Sequence, residues 1–171
     1  MRKYSILFCC AGNVCRSPTA EAVFRKKAAA AGVADRMVID SAGTHGYHAG
    51  ESPDPRARQA AKTRGYDLSQ LRARRFERDD FKRFDLVLAM DNDNRAYLAR
   101  LCGPSERHKL KLMMQYARDY AVSEVPDPYD GGSDGFETVL DMLEDASDGL
   151  LDALLSENSI SGEDAKDAGI P

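Results

Sequence analysis

The chain has 171 residues, 43% of them hydrophobic and 30% charged. This suits one compact domain with a sizeable core and excludes disorder throughout the chain. No apolar run approaches the ~18 residues of a membrane span. The net charge of −4 is a sum of unequal parts: residues 124–171 hold 14 acids and one base, net −13, against +9 for residues 1–123.

Met1-Arg2-Lys3 starts in the manner of an export signal, but the apolar stretch behind it runs only from Tyr4 to Cys10. A Gly-containing segment without a small-residue cleavage pattern follows, so Tyr4-Ser5-Ile6-Leu7-Phe8 is read as a buried strand and the protein is expected in the cytoplasm. Ser17-Pro18 predicts a helix start, with Ser at the N-cap and Pro at the first helical position. Ala20, Val23, Phe24, Ala28 and Ala31 would share one helical face, and Gly32 would supply the stop. Met37-Val38-Ile39 predicts a second strand ending at Ser41-Ala42-Gly43. Pro53-Asp54-Pro55 begins a helix through about Arg64, stopped by Gly65. Asp85 to Met90 is the clearest strand, helix signals return from Asp91 to Leu101, and a weaker strand spans Leu110 to Met113.

The last regular element is an amphipathic helix from about Ser133, with Phe136, Val139, Leu140, Leu143, Ala146, Leu150, Leu151 and Leu154 at a near-3.6 period. Residues 1–156 are thus expected to form the domain and 157–171 a flexible tail. Strands alternating with helices imply an α/β fold: a single domain with a four-stranded parallel twisted sheet, Rossmann-like, helices on both faces. Ligands of such sheets bind beyond the carboxyl ends of the strands, which directs attention to the turn after strand one. The basic part of the chain either attracts an anionic substrate or is neutralised by the acidic part packing on it. The Arg-rich run from Arg72 to Arg83, broken by Glu77, Asp79 and Asp80, reads as a solvated face, and no nucleic-acid partner is expected.

Cysteines stand at 9, 10, 15 and 102. Three within seven residues make a poor disulfide scaffold, and no second Cys/His pair near Cys102 completes a zinc site. His45 and His48 lack a third ligand, so no metal or other cofactor is expected. The turn reads Cys10-Ala11-Gly12-Asn13-Val14-Cys15-Arg16-Ser17-Pro18. Gly12 and Asn13 tolerate positive φ, so the backbone from Ala11 through Val14 and Cys15 can curl with its N–H groups inward, opening on a helix N-terminus as an anion site. Cys10 would lie at the floor of that ring, where amides, helix dipole and Arg16 favour its thiolate. Arg16 offers a planar fork to two phosphate oxygens, and Ser17 a hydroxyl to the sulfur. In-line attack on a phosphate monoester also needs a proton donor for the leaving oxygen. Asp127, between prolines in Val125-Pro126-Asp127-Pro128-Tyr129, is the candidate, with Tyr129 as an aromatic wall.

These motifs resemble those of the low-molecular-weight protein tyrosine phosphatases, with their Cys-x5-Arg-Ser-Pro loop and distant Asp-Pro-Tyr. Asp40-Ser41-Ala42-Gly43-Thr44, Pro53-Asp54-Pro55-Arg56 and Phe84-Asp85 to Met90-Asp91 fall in the same order, so the resemblance covers about residues 4 to 155. It implies a phosphotyrosine phosphatase I-like fold and metal-independent hydrolysis of phosphotyrosine proteins, with Cys10 as nucleophile, Arg16 as phosphate clamp and Asp127 as general acid and base. Asn13, Ser17 and Ser41 would support the loop, Tyr47 and Tyr129 would flank the aromatic ring, and His48 would sit where substrate preference varies. Members often place a His in the supporting network where this chain has Leu71, and some carry two adjacent tyrosines where it has Tyr129-Asp130.

Each residue also has a plainer reading. Cys9 faces away from Cys10 and is assigned to packing, and Cys102 is incidental. Cys15 either packs or, as in the resembled family, forms a reversible disulfide with Cys10. Ser41 is either a turn residue or a loop support. A monomer without membrane association is expected. Two other functions share the loop: a thioredoxin-coupled arsenate reductase, which needs further cysteines near the site, and a non-catalytic phosphate-binding module, which has little reason to combine thiol, arginine and acid.

Overall fold

β1 (Tyr4–Cys10) is the strand on which the rest is assembled, because it pairs on both edges and is buried from Ser5 onward. The computed structural model describes residues 2–160. Its sheet has four parallel strands in the order β2-β1-β3-β4, with β2 at Met37–Gly43, β3 at Leu86–Ala89 and β4 at Leu110–Leu112. Alternate residues of β1 feed the two faces. Ile6, Phe8 and Cys10 join the core formed with α1 (Arg16–Ala30) and α5 (Ser133–Ser156), whereas Leu7 and Cys9 join the core containing Phe76, Phe81 and Leu98. The opposed placement of the adjacent cysteines follows from strand geometry. α2 (Pro55–Thr63) lies beside α5, and α3 (Asp80–Arg83) and α4 (Asn92–Leu101) serve the second face. The chain leaves β1 toward β2 on one edge and returns to β3 on the other, so the crevice beyond the end of β1 is the switch point of the sheet.

The acidic C-terminal part settles on the basic part. Asp148 pairs with Lys27 at 2.8 Å, Arg64 meets Glu137, Asp141 and Glu144 at 2.5, 2.9 and 2.6 Å, and Asp152 pairs with Arg118. Of the two readings of the charge split, mutual neutralisation accounts for much of α5. Gly149 lets α5 approach the 113–116 turn so closely that an added Cβ would fall on the Tyr116 carbonyl oxygen.

Four expectations need correction. Ser17 is not the N-cap of α1: Cys15 holds that position without a side-chain cap, and the Ser17 hydroxyl turns toward Cys10. Ala31 is exposed beyond the end of α1, beside Gly32 at φ 76°. The 72–83 segment is more than a solvated face, since Phe76, Phe81 and Asp80 are buried and Arg74 bridges Asp80 and Asp40, both at 3.1 Å. Burial of Asp80 requires that partner, and the guanidinium supplies it. Finally, residues 157–160 stay tied to α5 instead of leaving it as tail: Asn158 takes φ 56°, Ser159 N–H bonds the Leu154 carbonyl at 3.0 Å, and Ile160 is buried in the core, while Glu157 and Asn158 are exposed. Residues 161–171 lie outside the described ones.

Candidate active site

The loop from Cys10 to Arg16 is bent by Asn13 at φ 59°, a conformation that a short amide side chain can pay for with hydrogen bonds. Its Nδ2 donates to Ser17 Oγ at 2.8 Å and Ser41 Oγ at 3.0 Å, and its Oδ1 accepts from the Arg74 N–H at 3.0 Å. Ser41 in turn donates to Glu21 Oε1 at 2.7 Å. Burial raises the Glu21 carboxyl pKa, and bonds from Ser41 and Arg25 partly oppose it. Ser17 Oγ lies 3.0 Å from Cys10 Sγ. Ser17 accepts from Asn13, and of the two acceptors around its own proton Cys10 Sγ at 3.0 Å is nearer than the Ala42 carbonyl at 3.5 Å. The carbonyls of the loop are tied away from the cup: Cys10, Ala11 and Val14 oxygens accept from the N–H groups of Thr44, His45 and Asp54 at 2.8, 3.0 and 2.8 Å. The backbone N–H groups of Gly12 to Arg16 have no partner among the described residues and remain free for an oxyanion. Gly43 is required behind this loop, because a Cβ there would stand 2.8 Å from the Ala11 oxygen.

Arg16 is buried and held from behind. Nη1 donates to Asp91 Oδ2 at 2.6 Å and to the Val125 carbonyl at 2.9 Å, while Nη2 lies 3.6 Å from Asp127 Oδ2. Burial works to lower its pKa, but the Cys10 charge and the Asp91 bond outweigh it and raise the value. Asp91 is itself fixed as the N-cap of α4, accepting from Asn94 N–H at 2.7 Å. The acid-bearing loop is pinned by Val125, whose N–H bonds the Met90 carbonyl at 2.8 Å, and by Arg56, which donates to the Tyr129 carbonyl at 2.6 Å. Asp54 caps α2 through the Arg56 N–H; burial raises its pKa, and the bonds from Arg56 overcome that effect and lower it. Asp127 accepts from Tyr129 N–H at 3.0 Å and keeps 53% of its side chain exposed.

These parts enclose a cup of about 200 Å³ lined by Cys10, Ala11, Gly12, Val14, Cys15, Arg16, Tyr47, His48, Asp127 and Tyr129. Tyr47 and Tyr129 are 72% and 42% exposed at the rim, and His48 packs on the Tyr129 ring at 5.9 Å. A larger cleft of about 560 Å³, beside Arg58, Lys62 and Tyr66, contains none of the candidate catalytic groups. The expected residues are therefore brought together, with the side chains of Asn13, Ser17 and Ser41 buried behind the cup, the place expected of loop supports. Leu71 packs partly buried among apolar residues, and Glu21 is the acid that completes the supporting network. Glu21, Arg56, Arg74 and Asp91 were missed as site residues; one helical turn from Ser17 to Glu21 was the signal available for the first. Cys102 follows α4 at the end opposite Asp91, about 15 Å along a ten-residue helix, and is not placed for a thiol relay.

The family model described as low molecular weight phosphotyrosine protein phosphatase matches residues 5–160. The chain belongs to that family. A low molecular weight protein-tyrosine-phosphatase of Streptomyces coelicolor is 46% identical over 155 residues, 88% of this chain and 93% of the relative. The human low molecular weight phosphotyrosine protein phosphatase is 39% identical over 136 residues, 79% and 85% of the two chains. Among solved family structures, a protein tyrosine phosphatase of Entamoeba histolytica with Hepes in its active site superposes with a TM-score of 0.88 at 41% identity, covering 92% of this chain and 99% of the other. No helix among the described residues is long and apolar enough to cross a membrane.

Proposed function

We propose that this phosphatase hydrolyses phosphotyrosine in proteins without a metal, through a phosphocysteine intermediate on Cys10. The observation that carries the reading is the convergence of Cys10, Arg16 and Asp127 on one cup walled by Tyr47, His48 and Tyr129. Phosphate oxygens take the free loop N–H groups and the Arg16 guanidinium, which Asp91 and Val125 hold in place. The Ser17 hydroxyl stabilises the charge of the ionised sulfur. Cys10 Sγ attacks phosphorus in line, the bond from phosphorus to the phenolic oxygen breaks, and Asp127 gives its proton to that oxygen. The Asp127 carboxylate then takes a proton from water, which attacks phosphorus and breaks the P–S bond, restoring thiolate and releasing phosphate.

Cys15 is the redox partner in this reading. Burial first, then the charges of Asp54 and Cys10, push its thiol well above the ordinary range, so Cys10 is the sulfur that a peroxide oxidises: the peroxide O–O bond breaks, one oxygen goes to Cys10 as a sulfenic acid and the other leaves as water, and the Cys15 thiol then displaces that hydroxyl as a second water to form the disulfide. Hydrolysis of phosphotyrosine and phosphoserine peptides in the presence of a chelator tests the function. Release of phosphate from the tyrosine peptide with little from the serine peptide is expected; a requirement for metal, or equal rates, would overturn the reading.

A further inference from the structure

A second cleft, of about 510 Å³, opens beside the cup and shares Ala11 with it. One wall is Thr44 and His45; the other is the face of α4 carrying Asn94, Tyr97 and Arg100. A run of aromatic rings connects the two sites. Tyr47, on the rim of the cup, stacks on His45 at 5.0 Å with the planes 2° apart, and His45 meets Tyr97 at 4.8 Å. The Arg100 guanidinium lies over the Tyr97 ring at 5.4 Å. Two ring-to-ring steps carry this wall about 10 Å from the cup, the reach of about three residues of extended chain.

The lining shows which ligand the cleft fits. Asn94 is only 4% exposed, and its Oδ1 has no hydrogen-bond partner among the described residues. That oxygen is itself shut off from solvent, so it lies behind the wall of the cleft and not on it. Arg100 is exposed and has no ion-pair partner among the described residues, and the same holds for Arg75, whose side chain lies against Gly46. The acid lining the cleft, Asp93, sits in the first turn of α4, where the positive end of the helix offsets its charge. Arg100, seven residues on in the last turn, has the negative end of the helix behind it and is the exposed cation of the cleft, with no carboxylate paired to it among the described residues.

We propose that the cleft is a peptide subsite that selects an acidic residue two or three positions from the phosphotyrosine. The proposal rests on the phosphotyrosine reading above and names the sequence class that this site reads. Stacking along His45 and Tyr97 positions the peptide, while Arg100 reads the carboxylate.

Phosphotyrosine peptides carrying Asp or Lys at the second or third residue on either side are the test, assayed with the wild-type chain, Arg100→Glu and Arg100→Gln, beside a small aryl phosphate. The wild type should favour Asp over Lys at one of these positions by about fivefold, expressed in KM, as expected for one exposed ion pair. Arg100→Gln should abolish the preference and Arg100→Glu invert it, a charge swap that a merely structural role would not produce. Absence of a preference in the wild type, or one that survives charge reversal, would overturn the subsite. Failure of the wild type to hydrolyse even the small aryl phosphate would overturn the phosphotyrosine reading itself, and is a separate result.

Discussion

In the proposed mechanism Asp127 loses a proton to one oxygen and takes one from another in a single cycle, and its surroundings suit both. The side chain is half exposed, held by the Tyr129 N–H at 3.0 Å and approached by Arg16 at 3.6 Å. Replacing it by Ala should slow turnover about 10²-fold or more for aryl phosphates with poor leaving groups and much less for good ones. A plot of rate against leaving-group pKa checks this, and an equal loss across the series would remove Asp127 from the acid role. Cys15 gives a second prediction. After inactivation by excess peroxide, thiol reductant should restore the wild type more fully than Cys15→Ser, in which the sulfenic acid on Cys10 has no internal thiol to trap it and is carried on to the sulfinic acid that thiol does not reduce; equal recovery would contradict the role assigned to Cys15. That Cys10, Arg16 and Asp127 would meet in one cup was legible in the sequence because their chemistry is in the side chain and their context is local, a Gly-Asn turn or a pair of prolines. The groups that hold them were not. Arg16 is fixed by Asp91 and by the Val125 carbonyl, 75 and 109 residues away, and no local pattern reports such a pair.

At the scale of elements, β1 and α1 make the site by ending and beginning in the right places. The ladder of β1 stops at Cys10 and α1 starts at Arg16, so everything between is free to curl. The strands were readable because buried parallel strands are short apolar runs, and α5 because its apolar period persists to Leu154. Ser17 misled because a Ser before Pro is a good cap on local grounds, whereas here a thiol claims its hydroxyl. The 72–83 run misled because its charges look solvated until Asp40 and Asp80 are seen closing on Arg74. Gly149 left no sequence signal at all, since its purpose is the approach of a carbonyl from another segment. Gly149→Ala should therefore destabilise the fold by about 1–3 kcal/mol despite the better helix propensity of Ala. Thermal or urea unfolding checks this, and an unchanged or raised midpoint would show that α5 moves aside without cost.

Across the whole molecule, the acidic C-terminal part covers basic segments with ion pairs from α5, and the cup opens on the edge where the sheet connections diverge. The architecture could be read from alternation of strand and helix. The second cleft could not, because its walls come from the β2 end and from α4, joined only by the order in which the strands pair. The account depends on Cys10 becoming covalently phosphorylated. Asp127→Ala, mixed rapidly with an aryl phosphate of good leaving group and quenched in acid, should accumulate the intermediate, because the base that activates water is gone. Peptide mass spectrometry should then find one phosphoryl group on the segment bearing Cys10, absent when Cys10 is also changed to Ser. Release of the phenol in the first turnover with no such adduct, or with the group on another residue, would contradict the mechanism.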